Sequence, residues 1–97
     1  MNKLVIYGAS FPDIIKLVDA INREKPTWEI LGYLDDNREL HGRAIMGYPV
    51  LGGRELVAEL SGREDVFFFV NISSSWRLVQ SVADMLDSFN CRLATLI

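Results

Sequence analysis

The spacing of hydrophobic and polar positions changes along the chain, and each change marks an element. Residues 3–7, KLVIY, are a short apolar run of strand formers that stops at Gly8. Over 13–25, DIIKLVDAINREK, the apolar residues Ile14, Leu17, Val18 and Ile21 recur at helical spacing, and Pro26 closes the segment. Residues 27–36, TWEILGYLDD, predict a second strand with a glycine inside it, Gly32, that marks close packing. DDNRELHGR is polar and turn-rich. MGYPVLGG then supplies a short extended piece, with Pro49 pointing to an edge or unpaired position. GRELVAEL predicts a short helix with Leu56, Val57 and Leu60 on one face and Gly62 as its stop.

Residues 65–72, DVFFFVNI, are apolar without a break from Val66 to Val70. That is the pattern of a strand covered on both faces, and hence of a parallel sheet. SSSWRLVQSVADMLDSF is the clearest helix, with Val79, Val82, Ala83 and Leu86 as its buried stripe and Trp76 placed in the core. Ser73 or Ser74 caps its start and Asn90 takes a left-handed stop. CRLATLI ends as a final strand. The order β-α-β-(β)-α-β-α-β implies right-handed crossovers onto one parallel sheet. The expected class is α/β: a small Rossmann-like open parallel sheet of about four to five strands with helices on both faces, half of a doubly wound fold. The apolar final run leads us to expect a further domain beyond residues 1–97, which themselves suit one domain.

Composition removes some function classes. The chain is 49% hydrophobic and 24% charged with a net charge of −3, which argues against nucleic acid, since phosphate neutralisation needs surplus Lys and Arg on one face. No apolar run approaches the roughly 20 residues of a membrane helix, and MNKLVIYGAS is a poor signal peptide. The single cysteine, Cys91, excludes an internal disulfide and fits a reducing cytoplasm. Cys91 and His41 are the only strong soft-metal ligands, so no metal site is expected. No Ser or Cys has an evident His partner, so no catalytic residue is assigned.

Ligands of open parallel sheets bind outside the carboxyl ends of the strands, near the point where strand order reverses. Three loops reach that end: 8–13, 35–37 and 71–75. In the first, Gly8 allows a sharp turn out of the strand, and Gly8, Ala9 and Ser10 form the phosphate-side candidates. The same loop also satisfies a purely structural account, a capping box from Ser10 to Asp13 with Pro12 in the first turn. Phe11 and Pro12 stand where a dinucleotide fingerprint has its second glycine, which speaks against tight NAD binding. Asp35, Asp36 and Asn37 in the second loop can accept from ribose hydroxyls or a base N–H, or form a solvated turn. In the third, Asn71, Ser73 and Ser74 can bond a ligand or cap the helix.

VIYGAS at the first turn, GYLDDN ending the second strand and HGRAIMGYPVLGG after it occur together in one family. They resemble the N-terminal domain of bacterial hexapeptide-repeat sugar acetyltransferases of the bacillosamine and sialic-acid type. The resemblance covers nearly the whole chain. It implies a domain that holds the nucleotide part of a UDP-amino-sugar or related sugar, through Gly8–Ser10 and Asp35–Asp36. It also implies a C-terminal left-handed β-helix that brings the catalytic His, the acetyl-CoA site and a homotrimer, with no cofactor in this domain. Two loops depart from the family pattern: Phe11, Pro12 and Asp13 replace a Gly-His-Gly-like step, and Ser73, Ser74 and Ser75 replace Gly-Asn or Gly-Asp. A stand-alone nucleotide-binding module for NAD or CoA, or a structural spacer with a decayed site, remain the alternatives.

Overall fold

The computed structural model of the chain describes residues 1–72 and 75–96. Among the described residues, six strands and three helices follow one another as β1 (Asn2–Tyr7), α1 (Ile14–Glu24), β2 (Trp28–Leu34), β3 (Ala44–Ile45), β4 (Tyr48–Gly52), α2 (Val57–Ser61), β5 (Val66–Val70), α3 (Trp76–Ser88) and β6 (Arg92–Leu93). Short 3-10 turns occupy Arg38–Leu40 and Arg54–Leu56. The sheet order is β3-β4-β2-β1-β5-β6. All pairs are parallel except β3 with β4. The expected Rossmann-like α/β sheet is therefore present. It carries one antiparallel edge strand that the sequence pattern did not announce.

Central position explains the composition of β1. It pairs with β2 on one side and β5 on the other, and Leu4, Val5 and Ile6 are fully buried. Alternate residues feed two cores. Leu4 and Ile6 meet α1 through Ile14, Ile15 and Val18. Val5 and Tyr7 join Leu34, Phe68, Val57, Leu60, Val82 and Leu86 beneath α2 and α3. β5 serves both cores in the same way, Phe68 on one face and Phe67 and Phe69 on the other. This is why its sequence is apolar without alternation.

Gly32 does what its place inside a strand suggested. The pairing of β1 with β2 shifts register between Leu4 and Val5, so that Ile30 and Tyr33 share a face although three residues apart. Gly32 has φ +150°, and a Cβ there would meet the Pro49 carbonyl oxygen at 2.4 Å. Pro49 is not on an edge, since β4 lies between β3 and β2, but it takes the other expected position, unpaired on its β2 side. It faces Ala44 of β3, across a two-residue turn of Met46 and Gly47 with φ +54° and +85°. Pairing of β4 with β2 begins only at Val50, so the missing N–H of Pro49 interrupts no ladder.

Several local expectations are corrected. α1 begins at Ile14 with Asp13 as N-cap and no side-chain cap bond, so Ser10 and Asp13 do not form a capping box. Instead the backbone tightens, with Ile15 N–H donating to the Pro12 carbonyl at 3.0 Å. The predicted short helix is half 3-10 and half α, and Gly62 ends it at φ −74° without a left-handed turn. α3 is capped by Ser75, which accepts from Leu78 N–H at 3.4 Å. Trp76 is 74% exposed and lies under the Arg77 guanidinium, not in the core. Among the described residues of CRLATLI, Arg92–Leu93 form strand against Phe67 and Phe68 of β5, and Ala94 N–H donates to the Phe68 carbonyl just beyond it at 2.8 Å. Asn90 takes the expected left-handed conformation at φ +56°. Among the described residues no helix is long and apolar enough to cross a membrane.

Candidate functional site

β1 leads to α1 and on to β2 on one side of the sheet, whereas β5 lies on the other side of β1. The strand order therefore reverses between β1 and β5, and a cleft must open above their carboxyl ends. A cavity of about 280 Å³ lies there, lined by Tyr7, Gly8, Ser10, Phe11, Asp35, Asp36, Asn71, Ile72 and Leu78.

Gly8 makes the cleft possible. Its φ of +115° turns the chain out of β1, and a Cβ would stand 2.5 Å from the Asn71 carbonyl oxygen. The two loops are also bonded. Asn71 N–H donates to the Tyr7 carbonyl at 2.8 Å, and the Asn71 side-chain amide donates to the carbonyls of Gly8 (3.2 Å) and Phe11 (2.9 Å). Asn71 thus fixes the turn after β1 while lining the cavity.

Asp35 ties the β2 loop to the same turn. Its Oδ2 accepts Ala9 N–H and its Oδ1 accepts Asn37 N–H, each at 2.8 Å. Its carbonyl oxygen lies 2.7 Å from His41 Nε2, so His41 anchors the loop. Asn37 turns away and caps the Arg38–Leu40 turn, accepting Glu39 N–H at 3.1 Å.

Asp36 is the other acid of the cavity. Tyr7 Oη donates to its Oδ1 at 2.6 Å, Arg54 Nε donates to the same oxygen at 3.2 Å, and Arg54 Nη2 donates to Oδ2 at 2.8 Å. The Arg54 fork holds the Asp36 carboxyl below its usual range, with the Tyr7 hydrogen bond adding to the effect. Burial, then the hydrogen bond to Asp36, pushes the Tyr7 phenol upward, so it stays a donor at neutral pH. Arg54 is driven further toward its cationic form by the same carboxylate. Asp36 thus enters the cavity as a neutralised ion pair. Phe11, Ile72 and Leu78 add apolar side chains to the same lining.

Of the residues singled out from sequence, the fold gathers Gly8, Ser10, Asp35, Asp36 and Asn71 around one cavity. Ala9 and Asn37 support it through their N–H groups without lining it. Ser73 and Ser74 lie outside the described residues. Sequence reasoning missed Tyr7 and Arg54. A polar-tipped aromatic at the last position of a buried strand was a signal for the first. Arg54 carried none, because only the pairing of β4 with β2 brings it to Asp36. Among the described residues, no group of three or more His, Cys, Asp and Glu could hold a metal ion.

The family model for the PglD N-terminal domain matches residues 3–84. The fold is similar to a mutant of perosamine N-acetyltransferase from Caulobacter crescentus, solved with CoA and GDP-perosamine, at a TM-score of 0.75 and 23% identity over 100% of this chain and 43% of that one. It is also similar to RSP solved in complex with beta-NADH, at a TM-score of 0.67 and 21% identity over 94% of this chain and 43% of that one. No curated protein sequence matches. The chain spans 43% of the length of each solved relative, and at these identities the likeness concerns the fold alone.

Proposed function

The chain belongs to the family of PglD N-terminal domains, and from that membership we propose that it is the substrate-holding N-terminal domain of an acetyl-CoA-dependent sugar O- or N-acetyltransferase. Its ligand is the nucleotide part of a UDP-amino-sugar or related sugar. The observation that carries this reading is the cavity at the β1–β5 reversal, lined by both acids and by apolar side chains. Phe11, Ile72 and Leu78 suit the face of a planar base. Asp36 suits a base N–H, and Ser10, exposed just ahead of α1, suits a phosphate oxygen.

In the full protein the acceptor amine or hydroxyl attacks the thioester carbonyl of acetyl-CoA, the carbon–sulfur bond breaks and the CoA thiolate leaves. A general base takes the acceptor's proton. We place that base and acetyl-CoA in a C-terminal left-handed β-helix beyond this chain, which would also form the homotrimer, in the cytoplasm. The role of this chain is to bind and orient. Holding the nucleotide end converts a bimolecular encounter into a local one.

The test is a titration of the isotopically labelled chain with UDP, UDP-N-acetylglucosamine, a UDP-4-amino-sugar, NAD and CoA, followed by backbone amide shifts. Shifts at Gly8–Ser10, Asp35–Asn37 and Asn71 with the uridine ligands are expected. Shifts with NAD or CoA alone would replace this reading by a nucleotide-sensing module. Silence with every ligand on a folded protein would leave a structural spacer.

A further inference from the structure

Asp36 meets the cavity with most of its accepting capacity already taken. Three donors reach it: Tyr7 Oη and Arg54 Nε on Oδ1, and Arg54 Nη2 on Oδ2. An ionised carboxylate offers roughly four lone-pair positions, so about one is left, on Oδ2. The donors come from different places in the fold and are held independently. Tyr7 ends β1 with its ring buried, and Arg54 follows β4 in a planar fork. Asp35 also lines the cavity and by the same count keeps about one position on each oxygen, but both oxygens are pinned to the loop backbones by the Ala9 and Asn37 N–H groups.

Resting on the nucleotide-sugar reading above, we propose that Tyr7 and Arg54 determine which nucleobase the pocket accepts, by leaving Asp36 room for a single N–H donor. Uracil offers one N–H on its pairing edge. Guanine offers two adjacent donors, its ring N–H and its amino group, and a carboxylate satisfies both only with both oxygens turned toward them. Here Oδ1 is filled. Guanine would bring one donor to Asp36 without a partner there, and that missing bond weakens its binding relative to a base with a single donor. Arg54 and Tyr7 are specificity-determining residues in this scheme. They need not touch the ligand.

The test measures the affinity of the chain for UDP, GDP and inosine diphosphate. Inosine diphosphate has the size of a guanine nucleotide but lacks the amino group, so it separates donor count from bulk. UDP and inosine diphosphate are expected to bind, with GDP weaker than either by about tenfold or more. Arg54→Met keeps most of the bulk and removes the donors. It is expected to narrow the GDP deficit by about tenfold while leaving the ratio of UDP to inosine diphosphate unchanged. Tyr7→Phe, which keeps the buried ring, is expected to narrow it in the same direction. Equal binding of GDP and inosine diphosphate by the unaltered chain would overturn the proposal, whether both bind or both are rejected for size. So would a GDP deficit that survives Arg54→Met. In those cases the nucleotide-sugar reading would stand on UDP binding. If no nucleotide binds at all, both fall together.

Discussion

A single missing Cβ decides whether the site exists. At Gly8 the turn needs φ +115° and the Asn71 carbonyl occupies the space a side chain would fill. Gly8→Ala is therefore expected to destabilise the chain by about 1–3 kcal/mol and to displace the amide signals of Asn71 and Ala9, read by urea unfolding and backbone NMR. The same scale governs pH dependence. Asp36 has a folded-state pKa below its ordinary 3.8, chiefly through Arg54. A depressed carboxyl stabilises the fold above its unfolded value, and that stabilisation disappears as pH falls through the folded one. Unfolding midpoints followed from neutral to strongly acid solution are expected to fall more steeply below 3.8 in the parent than in Arg54→Met. The effect is modest, because the Asp36 side chain is 42% exposed and solvent screens the pair. At this scale the sequence pointed to Gly8, Asp35, Asp36 and Asn71 by type and position. It could not separate the two acids. One spends its oxygens on backbone N–H groups and the other on a tyrosine and an arginine.

Helices and strands were legible wherever one face or both were buried over many residues. β1, α1, β2, β5 and α3 fall close to where periodicity put them, since burial imposes the spacing that the sequence displays. Legibility failed where local bonds compete. The start of α1 closes on backbone carbonyls and not on the Ser10 hydroxyl, and the segment before α2 winds as a 3-10 turn. It failed again where an element is only two residues long, as in β3 and β6, whose strand character depends on a neighbour. The contrast between central and edge strands is measurable. Phe68 on β5 is 0% exposed and Leu93 on β6 is 54% exposed. Phe68→Ala is expected to cost about 3–5 kcal/mol, and Leu93→Ala less than about 1 kcal/mol, by denaturant unfolding.

Taken whole, the molecule has two cores that share β1, and neither is complete without it. Its two faces are therefore expected to unfold together. Val18→Ala on the α1 face and Val82→Ala on the α3 face should each lower one transition, with far-ultraviolet circular dichroism and the fluorescence of buried Trp28 remaining coincident in both variants. A separation of the two probes would mean that the faces are independent units. The sequence by itself determined the alternation of strands and helices, the parallel sheet and the glycine turn at its centre. Those features follow from spacing and residue type, which act over a few neighbours. Only the tertiary structure decided that the chain crosses between β1 and β5, that Pro49 sits inside the sheet, and that Trp76 faces solvent. It alone brought Arg54 to Asp36 across 18 residues. Such contacts depend on which strands become neighbours. That is set by the packing of two whole faces, and no local pattern encodes it.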